Sequence, residues 1–415
     1  DEVVASCRMR GVSVEVDDVI AHHQAVARVQ TELNEVNRRR KEHQSAGKKK
    51  LDPEAREAHV AEGRAIKETV SRLEGKLASV RAELDAELAR LPNFVHPSVP
   101  DGGEDDAREI RQVGEPPNFS FAALDHLALG EQLDLFDFEA GARVAGQKFY
   151  YLKNAAALLE LGLQRYAVEL AIRAGYRPYI TPDLARPEVV AALGFNPRGE
   201  ETQIYSVENA ELCLVGTAEI TLGGLYADTI LEEQELPIRM VGVSHCFRTE
   251  AGAAGRESKG LYRVHQFTKV EMFCITRPED SDAMHEELLA LEEEIFQGLE
   301  IPYRVVDIAA GDLGAPAYRK FDLEAWMPGR GEAGAWGEIT STSNCTDYQA
   351  RRLRVRFRRE GKQKNELVHM LNGTAVSNAR AILALLENHQ QADGTVRIPK
   401  ALVPYVGIEI IPRPS

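Results

Sequence analysis

Two stretches of the 415-residue chain carry side chains whose types and spacing suit phosphate chemistry. The first runs Phe247-Arg248-Thr249-Glu250, then a glycine-rich segment 251–260, then Leu261-Tyr262-Arg263-Val264-His265-Gln266-Phe267-Thr268-Lys269-Val270-Glu271. It reads as strand, long loop, strand. Such a hairpin can hold Arg248 and Arg263 over a polyphosphate while an aromatic ring stacks on a base, because guanidinium forks match phosphate oxygens and ring faces attract cations. The alternative is a surface hairpin with incidental charges, which five charged residues in order on one apolar hairpin argue against. The second stretch is Arg38, Arg39, Arg40, Lys41, Lys48, Lys49 and Lys50, opposed only by Glu42, a local +6. Cation density of this kind suits a nucleic-acid backbone, and its bland counterpart is a solvated tip.

Missing signatures narrow the chemistry further. There is no GxxxxGK[ST], no GxGxxG after a strand and no GxSxG elbow, so P-loop, Rossmann and serine-hydrolase sites are not predicted. Eleven histidines show no HExxH spacing. The cysteines Cys7, Cys213, Cys246, Cys274 and Cys345 form no CxxC pair. No structural metal is expected, and each cysteine reads as a small buried hydrophobe in a reducing compartment. Lys+Arg 50 against Asp+Glu 65 leaves −15, with 44% hydrophobic and 28% charged residues, the proportions of a soluble globular protein. No apolar run approaches the ~20 residues of a membrane span.

The elements that must position these groups fall into two parts. In residues 20–91, Val26, Val29, Leu33 and Val36 recur at steps of three and four. So do Ile66, Val70, Leu73, Leu77, Val80 and Leu84, continuing to Leu88 and Leu91. That is the seam of a two-stranded coiled coil. Between them, Asp52 can cap a helix with Pro53 in its first turn. The pattern predicts an antiparallel hairpin, an arm with its basic residues at the turn. Pro97–Gly103 has linker composition, which puts a domain boundary near residue 100. Residues 1–100 would form the helical arm and 101–415 the second domain. Beyond it, helices are expected over Ala155–Arg173, Ser281–Leu299 and Ala375–Asn388. Strands are expected at Tyr179–Thr181, Ile238–Val243, Val264–Cys274 and Tyr303–Ile308. Strands without regular βαβ alternation predict an α+β fold.

Phe247-Arg248-Thr249-Glu250-Ala251-Gly252, with His265-Gln266-Phe267-x-Lys269-Val270-Glu271, resembles motif 2 of the class II aminoacyl-tRNA synthetases in the form found in seryl-tRNA synthetases. Gly216-Thr217-Ala218-Glu219 resembles that family's amino-acid-binding strand. Glu338 through Asp347 is similar to its metal and ATP segment, Asn372 through Arg380 to motif 3, and Gly175 through Pro182 to motif 1. The ordered set spans nearly the whole chain. It implies an antiparallel class II catalytic sheet of six to seven strands with motif 1 at a homodimer interface. It also implies ATP-dependent activation of L-serine to seryl-adenylate, then transfer to the 3′ end of tRNA(Ser).

In that resemblance Arg248 takes the α-phosphate, and Arg263 and Arg380 hold the outer phosphates and the purine face. Glu250 accepts from the adenine amino group, Phe267 stacks on the ring, and Glu338 with Ser341 binds Mg2+. Thr217, Ala218, Glu219, Glu271 and Thr374 surround serine, while the basic arm reads tRNA. Thr374 stands where the commonest bacterial form has Ser, and Thr340 and Thr342 replace Ser and Cys. The resemblance further implies a cytoplasmic enzyme, or a mature organellar form whose targeting segment preceded Asp1, with neither a membrane nor DNA as partner. A regulatory relative without catalysis would show damage at Arg248, Glu271, Glu338 or Arg380, and all four are intact.

Overall fold

A computed structural model describes residues 1–48, 52–195, 203–250 and 259–414. The chain forms two compact units, Asp1–Phe94 and Val95–Ser415. The Pro/Gly-rich stretch read as a linker is bonded into the second unit. His96 N donates to Tyr318 O at 3.0 Å, and Ala310 N donates to Pro100 O at 2.9 Å.

The first unit contains a short helix, Glu2–Met9, and two long ones, α1 (Val16–Ala46) and α2 (Pro53–Arg90). Asp52 caps α2: its carboxylate accepts from Ala55 N at 2.8 Å, with Pro53 in the first turn. The helices run antiparallel, since Arg39 reaches Glu62 (2.7 Å) while Arg81 reaches Gln30 (2.8 Å). Val29, Leu33, Ile66, Val70, Leu73 and Leu77 form the buried seam. Each such side chain contributes about 1.5–3 kcal/mol by leaving water. The seam stops short of its predicted end: Leu88 is 41% exposed.

The second unit is built on an eight-stranded sheet. Its strands are β1 (Arg108–Val113), β2 (Arg177–Ile180), β3 (Ile238–Phe247), β4 (Gln266–Thr276), β5 (Tyr303–Asp307), β6 (Arg319–Met327), β7 (Ala335–Asn344) and β8 (His369–Ser377). They lie in the order β1-β5-β6-β7-β8-β4-β3-β2. Every neighbouring pair is antiparallel except β2–β3, which is parallel. The fold is thus α+β, with one strand more than the resemblance implied.

Alternation along β4 sorts the faces. Val270, Met272 and Cys274 join the core formed with α3 (Asn154–Arg173), α5 (Ser281–Gly298) and α7 (Asn378–His389). Phe273 and Ile275 point the other way, into a second core with α4 (Ala218–Gly224) and α6 (Tyr348–Leu353). Phe267, Lys269 and Glu271 continue this second face. Two expectations are corrected. Thr217–Glu219 is not a strand: Thr217 is the N-cap of α4, its hydroxyl accepting from Glu219 N at 3.2 Å. A capping threonine with an acid in the first turn is a helix start. Ala375–Ser377, read as helix, completes β8, and the helix begins at Asn378.

Candidate active site

Where the second face is left uncovered, a cavity of about 550 Å³ opens. It is lined by Arg248, Glu250, Arg263 and Phe267 from the β3–β4 hairpin, Glu338 and Ser341 from β7, Thr374 from β8, Arg380 from α7 and Glu219 from α4. The expected phosphate, metal and serine groups therefore meet in one place. Thr217 and Ala218 are buried beside it without lining it, Thr217 being engaged in its cap. Glu271 lies just behind: Thr374 Oγ1 donates to its carboxylate at 3.3 Å.

Two irregularities in the sheet create this arrangement. Leu323 pairs with Thr340 but Glu324 with Glu338, so Ile339 is an extra residue in β7. Glu338 and Ser341, three apart, would face opposite sides of a regular strand; the bulge turns both into the cavity. On β8, Thr374 pairs with Glu271 and Val376 with Val270, leaving Ala375 extra. Asn372, Thr374 and Ser377 consequently all line the cavity.

Among the described residues the lining carries five cations (Arg248, Arg263, Lys269, Lys320, Arg380) and three carboxylates (Glu219, Glu250, Glu338). An excess of positive charge in a partly closed cleft favours a polyanion. Arg380 Nη1 bonds both the Glu338 carboxylate (3.1 Å) and its main-chain oxygen (3.0 Å). Its guanidinium also lies 4.7 Å from the Tyr262 ring centre. Burial opposes ionisation of Glu338, but Arg380, Lys320 and Arg248 outweigh it and hold the carboxyl down at about 2. Arg248 sits 5.4 Å from the Phe267 ring centre, and Arg263 bonds Glu250 at 3.1 Å. Glu250, which lines the cavity, takes a left-handed conformation (φ 51°).

Sequence reasoning missed a polar shell around Glu219. Its Oε1 accepts from Gln349 of α6 at 2.7 Å and from Asn372 at 2.9 Å. Burial, reinforced by Glu271, pushes the Glu219 carboxyl up to about 7, against the pull of Gln349, Lys269 and Arg248. Lys269, buried, pairs with Glu271 at 2.5 Å and lies 3.4 Å from Thr374 Oγ1. Cation, carboxylate and hydroxyl suit a small zwitterion with a hydroxyl group.

In the first unit, Arg38, Arg39, Lys41 and Lys48 are exposed at the turn end of the hairpin and Arg40 is half-buried. Lys49 and Lys50 lie outside the described residues. All five cysteines are free and buried. No helix among the described residues is long and apolar enough to cross a membrane, and no group of three or more potential metal-binding side chains occurs among them.

Comparison with known proteins agrees with this geometry. Residues 203–389 match the tRNA synthetase class II core domain (G, H, P, S and T), and residues 1–95 match the seryl-tRNA synthetase N-terminal domain. The serine–tRNA ligase of Rhodopirellula baltica is 54% identical over 99% of this chain and 96% of its own, and that of Treponema denticola is 51% identical over 99% and 97%. Among solved structures, the seryl-tRNA synthetase of Pyrococcus horikoshii complexed with ATP superposes with a TM-score of 0.89 at 40% identity, covering 100% of this chain and 98% of that one. The cytoplasmic serine–tRNA ligase of Naegleria fowleri in complex with AMP gives 0.84 at 32% identity, covering 100% and 95%. With both of its parts matched and its relatives aligned over 96% or more of their length, the chain belongs to the seryl-tRNA synthetases, within the class II aminoacyl-tRNA synthetases.

Proposed function

We propose that the cavity activates L-serine with ATP and passes the seryl group to tRNA(Ser). A serine carboxylate oxygen attacks the α-phosphorus, the bond to the bridging oxygen breaks, and pyrophosphate leaves. A hydroxyl of the terminal ribose of tRNA then displaces AMP from the seryl carbonyl, losing its proton. The observation that carries this reading is the gathering of Arg248, Glu338 and Arg380 in one cavity with Glu219, Asn372 and Thr374.

In the first step charge builds on phosphoryl oxygens, so fixed cations do most of the work. Arg248 serves the α-phosphate; Arg263 and Arg380 serve the outer phosphates and the purine, with Phe267 and Glu250 reading the base. The attacking carboxylate is already ionised at neutral pH, so no general base is required. Glu219 and Glu271 take the serine ammonium and Thr374 its hydroxyl, with Thr217 and Ala218 shaping the pocket floor from behind. A site that pairs a hydroxyl rejects alanine strongly, because its polar partners would be left bare.

Mg2+ fits the hard oxygens of Glu338 and Ser341, with Glu338 held anionic, and would neutralise phosphate charge there. The exposed cations Arg38, Arg39, Lys41 and Lys48 suit the tRNA backbone. A homodimer is supported by apolar side chains left open on α3 and β2, with Leu161 65% and Ile180 93% exposed. The protein would act in the cytoplasm. Arg248→Ala tests the catalytic reading: a folded variant should lose serine-dependent ATP–pyrophosphate exchange by about 10²–10³, the scale for removing one charge-stabilising donor. Near-normal exchange would remove Arg248 from its role.

A further inference from the structure

The two strands that supply the metal-side and serine-side residues are paired over a short distance only. Thr342, Ser343 and Asn344 of β7 pair with Gly373, Asn372 and Leu371 of β8. Beyond Thr342 and Gly373 the strands part. β7 goes on to Ser341 and Glu338 against β6, and β8 goes on to Thr374 and Ser377 against β4. The cavity lies along this fork, with Ser341 on one prong and Thr374 on the other.

Behind the crotch of the fork sits Glu292 of α5, a carboxyl that the reaction does not use. It is fully buried. One oxygen accepts from Thr340 Oγ1 at 3.0 Å, on the first prong. The other, Oε1, has no hydrogen-bond partner and lies against Gly373, where the second prong begins. A Cβ at residue 373 would come within 2.9 Å of Oε1 and 3.1 Å of Thr342 Oγ1. Glycine is therefore what lets the acid enter the crotch. At the outer end the first prong is pinned independently, by Arg380 on Glu338.

We propose that Glu292 is a positioning residue for serine recognition: by bridging Thr340 and Gly373 behind the sheet, it fixes the fork between β7 and β8 and thereby the spacing between Ser341 and Thr374. Burial, helped by Glu271 and Asp322, lifts its carboxyl well above the usual range despite the Thr340 bond and Lys269. Burial of this kind disfavours the charged form. A neutral wedge of this shape can be copied by glutamine but not by alanine, which leaves a void and an unpaired Thr340 hydroxyl. The metal-side prong is held a second time by Arg380 on Glu338, whereas the root of the serine-side prong lies against Glu292, so the larger effect should fall on serine.

This inference rests on the serine-activating function proposed above. The test is pyrophosphate exchange with serine and ATP titrated separately. Glu292→Ala should raise the serine KM about tenfold while the ATP KM stays within about twofold, the scale of one lost buried hydrogen bond. Glu292→Gln should remain close to wild type in both. Thr340→Val should repeat the alanine effect, and the double variant Glu292→Ala/Thr340→Val should be no worse than either single one, because both remove the same bridge. An unchanged serine KM in Glu292→Ala, equal impairment by Ala and Gln, or a rise shared by ATP would overturn the proposal. If Glu292→Ala does not fold, an unchanged serine KM in Thr340→Val overturns it alone. Wild-type protein silent with serine would overturn the functional reading and this inference with it; an active wild type with indifferent variants overturns the inference only.

Discussion

Lowering the pH should weaken serine binding while Glu219 is present, and Glu219→Gln should abolish that dependence. Burial and the nearby Glu271 charge push the Glu219 carboxyl up to about 7. A bound serine ammonium would favour the ionised form and draw the value back down. The sign follows: below pH 7 the free protein carries a proton that binding must expel, so affinity falls as pH falls. With a free value near 7, the ionised fraction drops about tenfold between about pH 8 and about pH 6, and the serine KM should rise by the same factor. Glutamine keeps an acceptor for Gln349 and Asn372 but carries no titrating proton. The assay is pyrophosphate exchange at saturating ATP, with the serine KM measured across that range. A flat wild-type profile, or a Glu219→Gln profile with the same slope, would refute the placement of the ammonium beside Glu219.

Replacing Arg38, Arg39, Arg40 and Lys41 by Ala should leave pyrophosphate exchange intact but raise the tRNA KM. It should also flatten the salt dependence of charging, by about one unit of log–log slope for each phosphate no longer neutralised. Charging identical to wild type at every salt concentration would remove these residues from the tRNA interface. Leu161→Asp, which puts a carboxylate on the open apolar face of α3, should shift the mass in sedimentation from two chains to one. A wild-type protein that sediments as one chain would rule out the dimer.

What could be read from the sequence was whatever local spacing or a recurring motif encodes. The coiled-coil seam was legible because Val29, Leu33, Ile66 and Val70 need only a 3-4 rhythm to share a side. The cap at Asp52 was legible because Asp-Pro has one favoured use there. Arg248, Phe267, Glu338 and Arg380 could be named because their motifs carry them. The bulges at Ile339 and Ala375 could not, since a bulge is a relation between a strand and its partner. Without them, nothing explains how Glu338 and Ser341 share a face. Gln349 and Asn372 reach Glu219 from 130 and 153 residues away, and no spacing rule spans such a distance. Thr217 departs from expectation for a different reason: resemblance to a strand motif masks an ordinary capping signal, a threonine with an acid in the first turn. Glu292 looked like one more acid on an acidic helix, and only packing beneath Thr340 and Gly373 distinguishes it.

A single cavity is proposed to join serine to AMP. Its most direct test is ATP–pyrophosphate exchange measured with each of the twenty amino acids in turn, followed by charging of total tRNA with whichever amino acid responds. Strong exchange with serine alone, and acylation confined to serine-accepting tRNA, is the predicted result. Exchange driven best by another amino acid, or none with any of them, would rule out serine activation in this cavity.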